Sequence, residues 1–440
     1  MKRYINYFKI SFYKVYVILA ILIFGYLVIS KGEIFTYDSI MYLGAFIHVQ
    51  PLYTIFLYLF KFTIGDQIHD FVIVTQFVIL IISILIFTNI VSKIFNFSIV
   101  TKTILFTVSS LPIILPNLRI TNKIVTESLA YSFFLIFVAY FLRGLKYSTL
   151  KDYQISLLGL YFLLLTRGQF LSIIPAILVV LFFKYRRRLF KTNIKYIFLL
   201  TLGLSIISSY TEKAIYGVTR NQFESRLLKN LNLSGIPMFL SEEEDVIFMP
   251  DAESKYLFRQ SYKKLKNNNL LANQLPSSYT IYEKYNFYNS VVPRITNMTI
   301  HDIACNLYMK NHEDYNASLV YADKLIERML YQLIKARPRV VLKMIFINAS
   351  EGYGSIAILI VLIILLLWIL YRNIKEKSNY NEYMLFFILL ILGNISLIAL
   401  AGHSIRRFYF YYDIIWILFL LTLLQKYKID RLNSFLFKRN

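Results

Sequence analysis

The chain has 440 residues, of which 57% are hydrophobic and 17% aromatic, and its mean hydropathy is +0.55. A chain of this composition has too few polar residues to cover the surface of a soluble globule of this size. The composition therefore predicts an all-α polytopic membrane protein. The net charge of +23 does not indicate nucleic-acid binding, because the Lys and Arg residues cluster between apolar runs and do not line one amphipathic face. The single cysteine, Cys305, excludes an internal disulfide.

Ten apolar runs are candidates for membrane-spanning helices. Such a helix needs roughly 20 apolar residues to cross a hydrocarbon core of about 30 Å. The predicted spans, in chain order, are 12–30, 71–91, 99–115, 127–141, 153–165, 170–183, 194–210, 355–371, 383–401 and 409–424.

The basic residues predict the topology of these spans. The first run follows several Lys and Arg residues and ends without a cleavage pattern, so we expect a retained signal anchor with a cytoplasmic amino terminus. If the later spans alternate, most Lys and Arg face the cytoplasm, the carboxyl terminus is also cytoplasmic, and Asp38 lies on the outer face. The short outer loops then hold only Lys31, Lys61, Arg119, Lys123, Arg167, Arg406 and Arg407.

The spans divide the chain into three predicted parts. Residues 1–210 form an amino-terminal transmembrane module with a first external loop, 31–70, in which the short apolar run 51–62 is expected to be an interfacial helix. Residues 211–348, here called the loop domain, are polar and form an extracytoplasmic domain of about 135 residues, since long domains translocate regardless of charge. Its segment 321–346 has helical apolar spacing, which favours helices along the membrane surface. Residues 349–440 contribute the last transmembrane helices.

Arg167 is expected below the outer surface of the membrane. The stretch 153–183 has basic clusters at both ends, and only a hairpin keeps both on the cytoplasmic side. Each arm is then roughly 20 Å long, so the tip LTRGQ stops short of the outer surface. A guanidinium at that depth costs about 3 kcal/mol or more without a partner. The partner is either Glu127 or a backbone carbonyl, in a structural role, or a phosphate, which suits the planar fork of arginine.

Other polar residues fall in the same predicted outer layer. One or two acids among several cations would let an enzyme hold an anionic headgroup while a carboxylate acts on a hydroxyl. Ordinary anchoring to lipid headgroups is the alternative for each cation taken alone. His48, His69 and the acidic run 242–245 have no diagnostic metal-ligand spacing, and solvated surface is the favoured interpretation. The layer comprises Asp38, Arg119, Lys123, Glu127, His403, Arg406 and Arg407.

Four stretches of the chain resemble the GT-C superfamily of integral membrane glycosyltransferases, in the branch of the protein O-mannosyltransferases and the lipid A aminoarabinose transferase. They are YDSIMYLGAF, PLYTIFLYLFKFTIG, TESLAYSFFLIFVAYFLR and LLGLYFLLLTRGQFLSIIPAILVVLFF. The resemblance implies a GT-C-like fold and transfer of a sugar, with inversion, from a polyprenyl-phosphate carrier to an acceptor on the extracytoplasmic face. It implies that Asp38 is the catalytic acid residue, and that Glu127 and Arg167 match the Glu and Arg of the family's site.

Two departures from the family pattern matter. Many relatives carry an acidic pair in the first loop, whereas here Glu33 precedes Asp38 by five residues, so a divalent metal ion is left open and no other cofactor is expected. The terminal Arg-Tyr-proline pattern is replaced by RRFYFYYDIIWI.

The expected reaction uses a lipid-borne donor, because the chain has neither a P-loop nor a G-x-G-x-x-G motif for a nucleotide sugar. Asp38 would accept the proton of the acceptor hydroxyl, and Glu127 would orient Arg167 or bind the sugar. The donor phosphate is assigned to Arg167, Arg406, Arg407 and Lys123, and other substrate contacts to Tyr42, His48, Tyr53 and His403.

The expected partners are the polyprenyl-phosphate sugar, a glycan, lipid or protein acceptor and membrane lipids, but no nucleic acid. Two alternatives stay open. One is a cell-surface polysaccharide polymerase or ligase, and the other is a flippase or transporter for lipid-linked sugars, which would place polar groups near the middle of the bilayer and show repeated halves.

Overall fold

The structure, a computed structural model, describes residues 2–44, 49–65, 68–224, 229–376, 378–400, 402 and 406–437. Within these ranges the chain is all-helical, and the only β pairing is an isolated bridge between Ile34 and Lys123. Eight helices are long and apolar enough to cross a membrane, which indicates a multi-pass membrane protein.

The helices fall into three groups along the chain. The first group contains α1 (Lys2–Lys31), α2 (Tyr37–Leu43), α3 (Pro51–Ile64), α4 (Ile68–Phe95), α5 (Ile99–Ile114), α6 (Glu127–Tyr147), α7 (Leu150–Thr166), α8 (Ile173–Tyr185) and α9 (Ile194–Arg220). The loop domain contains α10 (Lys229–Phe239), α11 (Ala252–Asn267), α12 (Ile281–Ile295), α13 (Asp302–Met309), α14 (Tyr315–Ala336) and α15 (Pro338–Gly352). The last group is α16 (Ile356–Lys375), α17 (Asn379–Leu400) and α18 (Arg406–Phe437).

Shorter helical segments connect some of these elements. Four are 3₁₀ helices, Gly168–Ser172, Arg186–Lys191, Glu243–Phe248 and Ala272–Gln274, and one is a π-helix, Thr296–His301.

Eight of the ten predicted spans coincide with the eight long apolar helical segments, one of which, Gly168–Tyr185, joins the 3₁₀ helix Gly168–Ser172 to the 13 residues of α8. The other two, 99–115 and 153–165, are helical as α5 and α7, but these helices have 16 and 17 residues. The predicted interfacial segment 51–62 forms α3, a helix of 14 residues. Ser98 begins α5 by accepting a hydrogen bond at its Oγ from the backbone N–H of Thr101, at 3.2 Å.

Helix α6 lies at the centre of the membrane helices. It packs against α4 and α7, and most of its side chains are buried. Helix α17 is the second hub, since it packs against α8, α15, α16 and α18. One continuous apolar core joins α1, α4, α5, α6, α7, α8, α9, α16, α17 and α18.

The loop domain has a hydrophobic core of its own, which runs from Tyr216 to Ile347. Helix α14 packs against α10, α11 and α13, and its apolar residues Leu325, Ile326 and Met329 are buried there. In α14, part of the apolar face predicted to lie on the membrane is therefore covered by protein, whereas Val340, Leu342 and Phe346 of α15 are exposed. The helical spacing was predicted correctly, but spacing alone does not distinguish a lipid surface from a neighbouring helix.

The acidic run 242–245 is not uniformly solvated either. Asp245 is buried, and Arg337 binds it at 3.0 Å and Glu242 at 2.6 Å. These ion pairs fasten the Glu243–Phe248 turn to the junction between α14 and α15.

Small residues allow α6 and α7 to approach closely. A Cβ atom added at Gly144 would lie 2.8 Å from ring atoms of Tyr153, which is fully buried. Ser156 donates a hydrogen bond to the carbonyl of Phe137 at 3.1 Å across the same interface. Close backbone approach at small residues is how helices associate in membranes.

Gly144→Ala should destabilise this interface by about 1–3 kcal/mol, because the added methyl group overpacks against Tyr153. Thermal unfolding of the detergent-purified protein should show a lower Tm. Gly203→Ala in α9 is the matched control, since a Cβ there would meet only a side-chain atom of Ile207 at 3.8 Å. Equal Tm values for the two variants would contradict the packing described for Gly144.

Candidate active site

Arg167 lies at a break between two short helices. Helix α7 ends at Thr166, Arg167 is extended with φ −155° and ψ 125°, and the 3₁₀ turn Gly168–Ser172 leads into α8. The chain therefore leaves its helix at this residue, and the side chain is carried into the protein, where only 11% of it is exposed.

The buried guanidinium has an acidic partner. Nη1 of Arg167 lies 3.0 Å from Oε1 of Glu127, the first residue of α6, whose side chain is 3% exposed. Nη1 also donates a hydrogen bond to the hydroxyl of Tyr411 at 3.2 Å. The structural alternative considered for Arg167, a pair with Glu127, is thus present. A guanidinium has five N–H donors, and both of these contacts use Nη1, so the pair is compatible with a further anion.

Aromatic rings complete the surroundings of Arg167. Its Cζ lies 5.5 Å from the centre of the Phe408 ring and 5.8 Å from that of Tyr411. Gln169 donates a hydrogen bond to the carbonyl of Phe408 at 3.2 Å, which ties the turn after α7 to the start of α18. The sequence reasoning missed Phe408 and Tyr411, although they follow Arg406 and Arg407 in the aromatic run RRFYFYY.

Asp38 enters from the first loop, in the first turn of α2. Thr36 and Ser39 form a capping box that starts this helix, with Oγ of Ser39 accepting from the Thr36 N–H at 3.0 Å. Asp38 is half-buried. One turn later, Tyr42 is buried, and its hydroxyl donates a hydrogen bond to Oε1 of Gln50 at 2.6 Å.

The electrostatics of Tyr42 show which charges surround it. Burial raises the pKa of the Tyr42 phenol well above its usual range, Arg167 lowers that pKa, and Glu127 and Asp38 raise it. All three charges therefore act at one phenol, although Asp38 and Arg167 come from distant parts of the chain. Arg167 and Glu127 are in direct contact, and Asp38 lies close enough to the Tyr42 phenol to raise its pKa.

A second tyrosine fastens the first loop to the bundle. The rings of Tyr42 and Tyr53 meet edge to face, with centres 5.0 Å apart. The hydroxyl of Tyr53 donates to Oε1 of Gln76 in α4 at 3.0 Å, and Nε2 of Gln76 donates to the carbonyls of Thr121 and Lys123 at 3.1 and 3.3 Å. A fully buried glutamine is costly in an apolar span unless its amide is paired. A glutamine inside the apolar run VIVTQFVIL predicts a buried polar contact, and the sequence analysis did not use this signal.

The segment before α6 forms the other side of this scaffold. Nδ2 of Asn122 donates to the carbonyls of Val28 and Gly32, at 2.8 and 2.7 Å, and so caps the end of α1. The N–H of Ile34 donates to the carbonyl of Asn122 at 2.8 Å. Nζ of Lys123, a candidate for the donor phosphate, donates to the carbonyl of Asn117 at 3.2 Å.

The loop domain holds the chain just before α18. The carbonyl of Gly402 accepts hydrogen bonds from the Tyr288 hydroxyl at 3.1 Å and from Nδ2 of Asn348 at 3.2 Å. Nδ2 of Asn348 also donates to Ala399, and Tyr285 donates to Oδ1 of Asn348 at 2.6 Å. Three buried side chains of the loop domain thereby hold the backbone at the end of α17 and at Gly402.

The remaining candidates are only partly described. His48 and His403 lie outside the described residues, as do the side chains of Arg406 and Arg407, whose backbone opens α18.

Within the described ranges, no three His, Cys, Asp or Glu side chains lie together as a metal site. His69 lies 3.7 Å from Glu33 and packs edge to face on Phe35.

Comparison of the chain with models of known protein families, with curated protein sequences and with solved structures found no match.

Removing one member of the buried pair should cost more than removing both. Glu127→Leu leaves Arg167 as an uncompensated buried charge and should lower the free energy of unfolding by about 3–5 kcal/mol. The double variant Glu127→Leu/Arg167→Met should lose less, since no charge is left unpaired. Thermal unfolding of the purified variants measures both effects.

Glu243→Leu is the control for that experiment. Glu243 pairs with Lys266 at 2.8 Å, but both side chains are more than half exposed, so its loss should hardly change the Tm. A double variant as unstable as Glu127→Leu would contradict the account of the buried pair.

Proposed function

We propose that the protein is an integral membrane glycosyltransferase that moves a sugar from a polyprenyl-phosphate donor to an acceptor on the extracytoplasmic face, with inversion. The observation that supports this most is the convergence of Asp38, Glu127 and Arg167 around the Tyr42 phenol. A carboxylate on a loop and a guanidinium at a helix end provide a proton acceptor and an anion binder at one site.

In the proposed reaction, the hydroxyl oxygen of the acceptor attacks the anomeric carbon of the donor. The bond between that carbon and the phosphate oxygen breaks, the proton moves to the Asp38 carboxylate, and polyprenyl phosphate leaves with its electron pair. Arg167, with Arg406 or Arg407, stabilises the charge that develops on the phosphate, a contribution that is often the largest in such reactions. Glu127 is a positioning residue, because it holds the guanidinium at 3.0 Å.

The proposed topology has ten spans, with α5 and α7 crossing in addition to the eight long helices, and with both termini in the cytoplasm. In this arrangement the first loop, the end of α7, the start of α6 and the loop domain all face outward. The asymmetry of Lys and Arg between the connecting segments supports it.

The alternatives place polar residues elsewhere. A polymerase or ligase is expected to use arginines of the long loop, and two of the seven arginines there, Arg328 and Arg337, are already engaged in ion pairs with two carboxylates each. A transporter is expected to gather its polar groups in mid-bilayer, whereas the cluster around Tyr42 includes the non-spanning helix α2.

Asp38→Asn should abolish transfer, with a loss of about 10²–10⁴-fold or more, because the amide cannot accept the proton. In cells that lack the gene, mass spectrometry of envelope glycans should reveal a missing sugar. The wild-type gene should restore that sugar, and the Asp38→Asn gene should not.

Asp70→Asn is the matched control, since Asp70 is an exposed acid at the start of α4, close to the same loop in sequence. It should restore the sugar, and both variants should be present in the membrane at wild-type levels. Full restoration by Asp38→Asn would remove Asp38 from the mechanism.

A further inference from the structure

A groove on the loop domain, far along the chain from the proposed active site, has the lining of a ligand site. Its volume is about 390 Å³, within the range of about 300–1,000 Å³ typical of small-molecule sites. Helix α11 provides one wall with residues spaced three or four apart, so they share one helix face. Helix α13 and the residue after it provide the other wall.

Three lysines give the groove a positive charge. They are Lys263 and Lys264 on α11 and Lys310 after α13. Lys264 lies 3.4 Å from Asp302. Among the described residues, neither Lys263 nor Lys310 forms an ion pair, and Nζ of Lys310 lies 3.5 Å from the Tyr256 hydroxyl. The groove therefore keeps a net positive charge that an anion would neutralise.

The other lining residues suit a hydroxyl-rich ligand. Gln260, Asn267 and Asn306 each offer amide groups that donate and accept hydrogen bonds, as sugar hydroxyls do. Tyr256 adds an aromatic ring at one side, and Ile303 and Leu307 form a small apolar floor. Such surfaces pack against the C–H face of a sugar ring.

We propose that this groove binds an anionic oligosaccharide, a hydroxyl-rich chain that carries carboxylate or phosphate groups. A lipid surface fits less well, because insertion into a bilayer requires a broad exposed apolar face. The two aliphatic residues of the lining are both half-buried. Helices α11 and α13 pack mainly against each other, α14 and the Thr296–His301 turn, all within the loop domain. The idea that the bound oligosaccharide is the acceptor rests on the proposed function. The binding of the oligosaccharide to the groove does not depend on that function.

The test uses the full-length protein in nanodiscs of phosphatidylcholine, titrated with tetragalacturonate by calorimetry. The double variant Lys263→Glu/Lys310→Glu should lose affinity by about tenfold or more, because two attractive charges become repulsive. The fully methyl-esterified probe, which has the same shape without charge, should not bind. An oligomer of glycerol phosphate provides the second anionic probe.

The matched control is Lys255→Glu/Lys335→Glu, which makes the same change in net charge at exposed lysines of α11 and α14 outside the groove. It should bind both probes as the wild type does. Equal losses in the two double variants would overturn the proposal in favour of general charge attraction. Failure of both probes to bind, or their displacement by phosphatidylglycerol vesicles but not by phosphatidylcholine vesicles, would also overturn it.

The variant Asp38→Asn separates this inference from the proposed function. It should bind the oligosaccharide normally while transferring no sugar. Transfer that persists in the Lys263→Glu/Lys310→Glu variant would show that the bound oligosaccharide is not the acceptor, whereas normal oligosaccharide binding by a wild-type protein that transfers no sugar would reject the transferase alone.

Discussion

The ion pair between Arg167 and Glu127 lies where three parts of the chain meet. Arg167 ends α7, Glu127 begins α6, and Tyr411 of α18 accepts a hydrogen bond from the same guanidinium nitrogen. A charge buried beside apolar helices is tolerated only when it is paired and hydrogen-bonded. The ends of these three helices are therefore fixed relative to one another, and the first loop packs over them through Tyr42.

Each connection around this pair uses a buried polar side chain to hold an irregular segment. Gln76 binds the carbonyls of Thr121 and Lys123 and the Tyr53 hydroxyl, Asn122 caps α1, and Asn348 binds the carbonyls of Ala399 and Gly402. Irregular backbone at the end of a membrane bundle needs such partners, because lipid offers its N–H and C=O groups none. Because Tyr53 also packs on Tyr42, the Gln76 amide helps to hold the first loop against the bundle.

The apolar pattern of the sequence predicted most of the helices, because a spanning segment must bury a long continuous run whatever its neighbours are. It also predicted that Arg167 needs a partner, with Glu127, a backbone carbonyl or a phosphate as the alternatives, because an unpaired charge at depth in lipid is costly. The parts that it did not predict are long-range. Tyr411 meets Arg167 across 244 positions of sequence, and no local pattern encodes that distance. The helical period of the apolar residues in α14 was predicted correctly, but buried residues of this helix pack against other helices and not against lipid.

The central proposal is that Asp38 and Arg167 lie on the same side of the membrane, away from the cytoplasm. In a Cys305→Ser background, which removes the single cysteine, Asp38→Cys and Gln169→Cys place one thiol in the first loop and one beside Arg167. Lys151→Cys places a thiol at the opposite end of α7. A membrane-impermeant maleimide applied to intact cells should label the first two sites and should label the third only after the membrane is opened. Labelling of Asp38→Cys and Gln169→Cys from opposite sides would contradict the account.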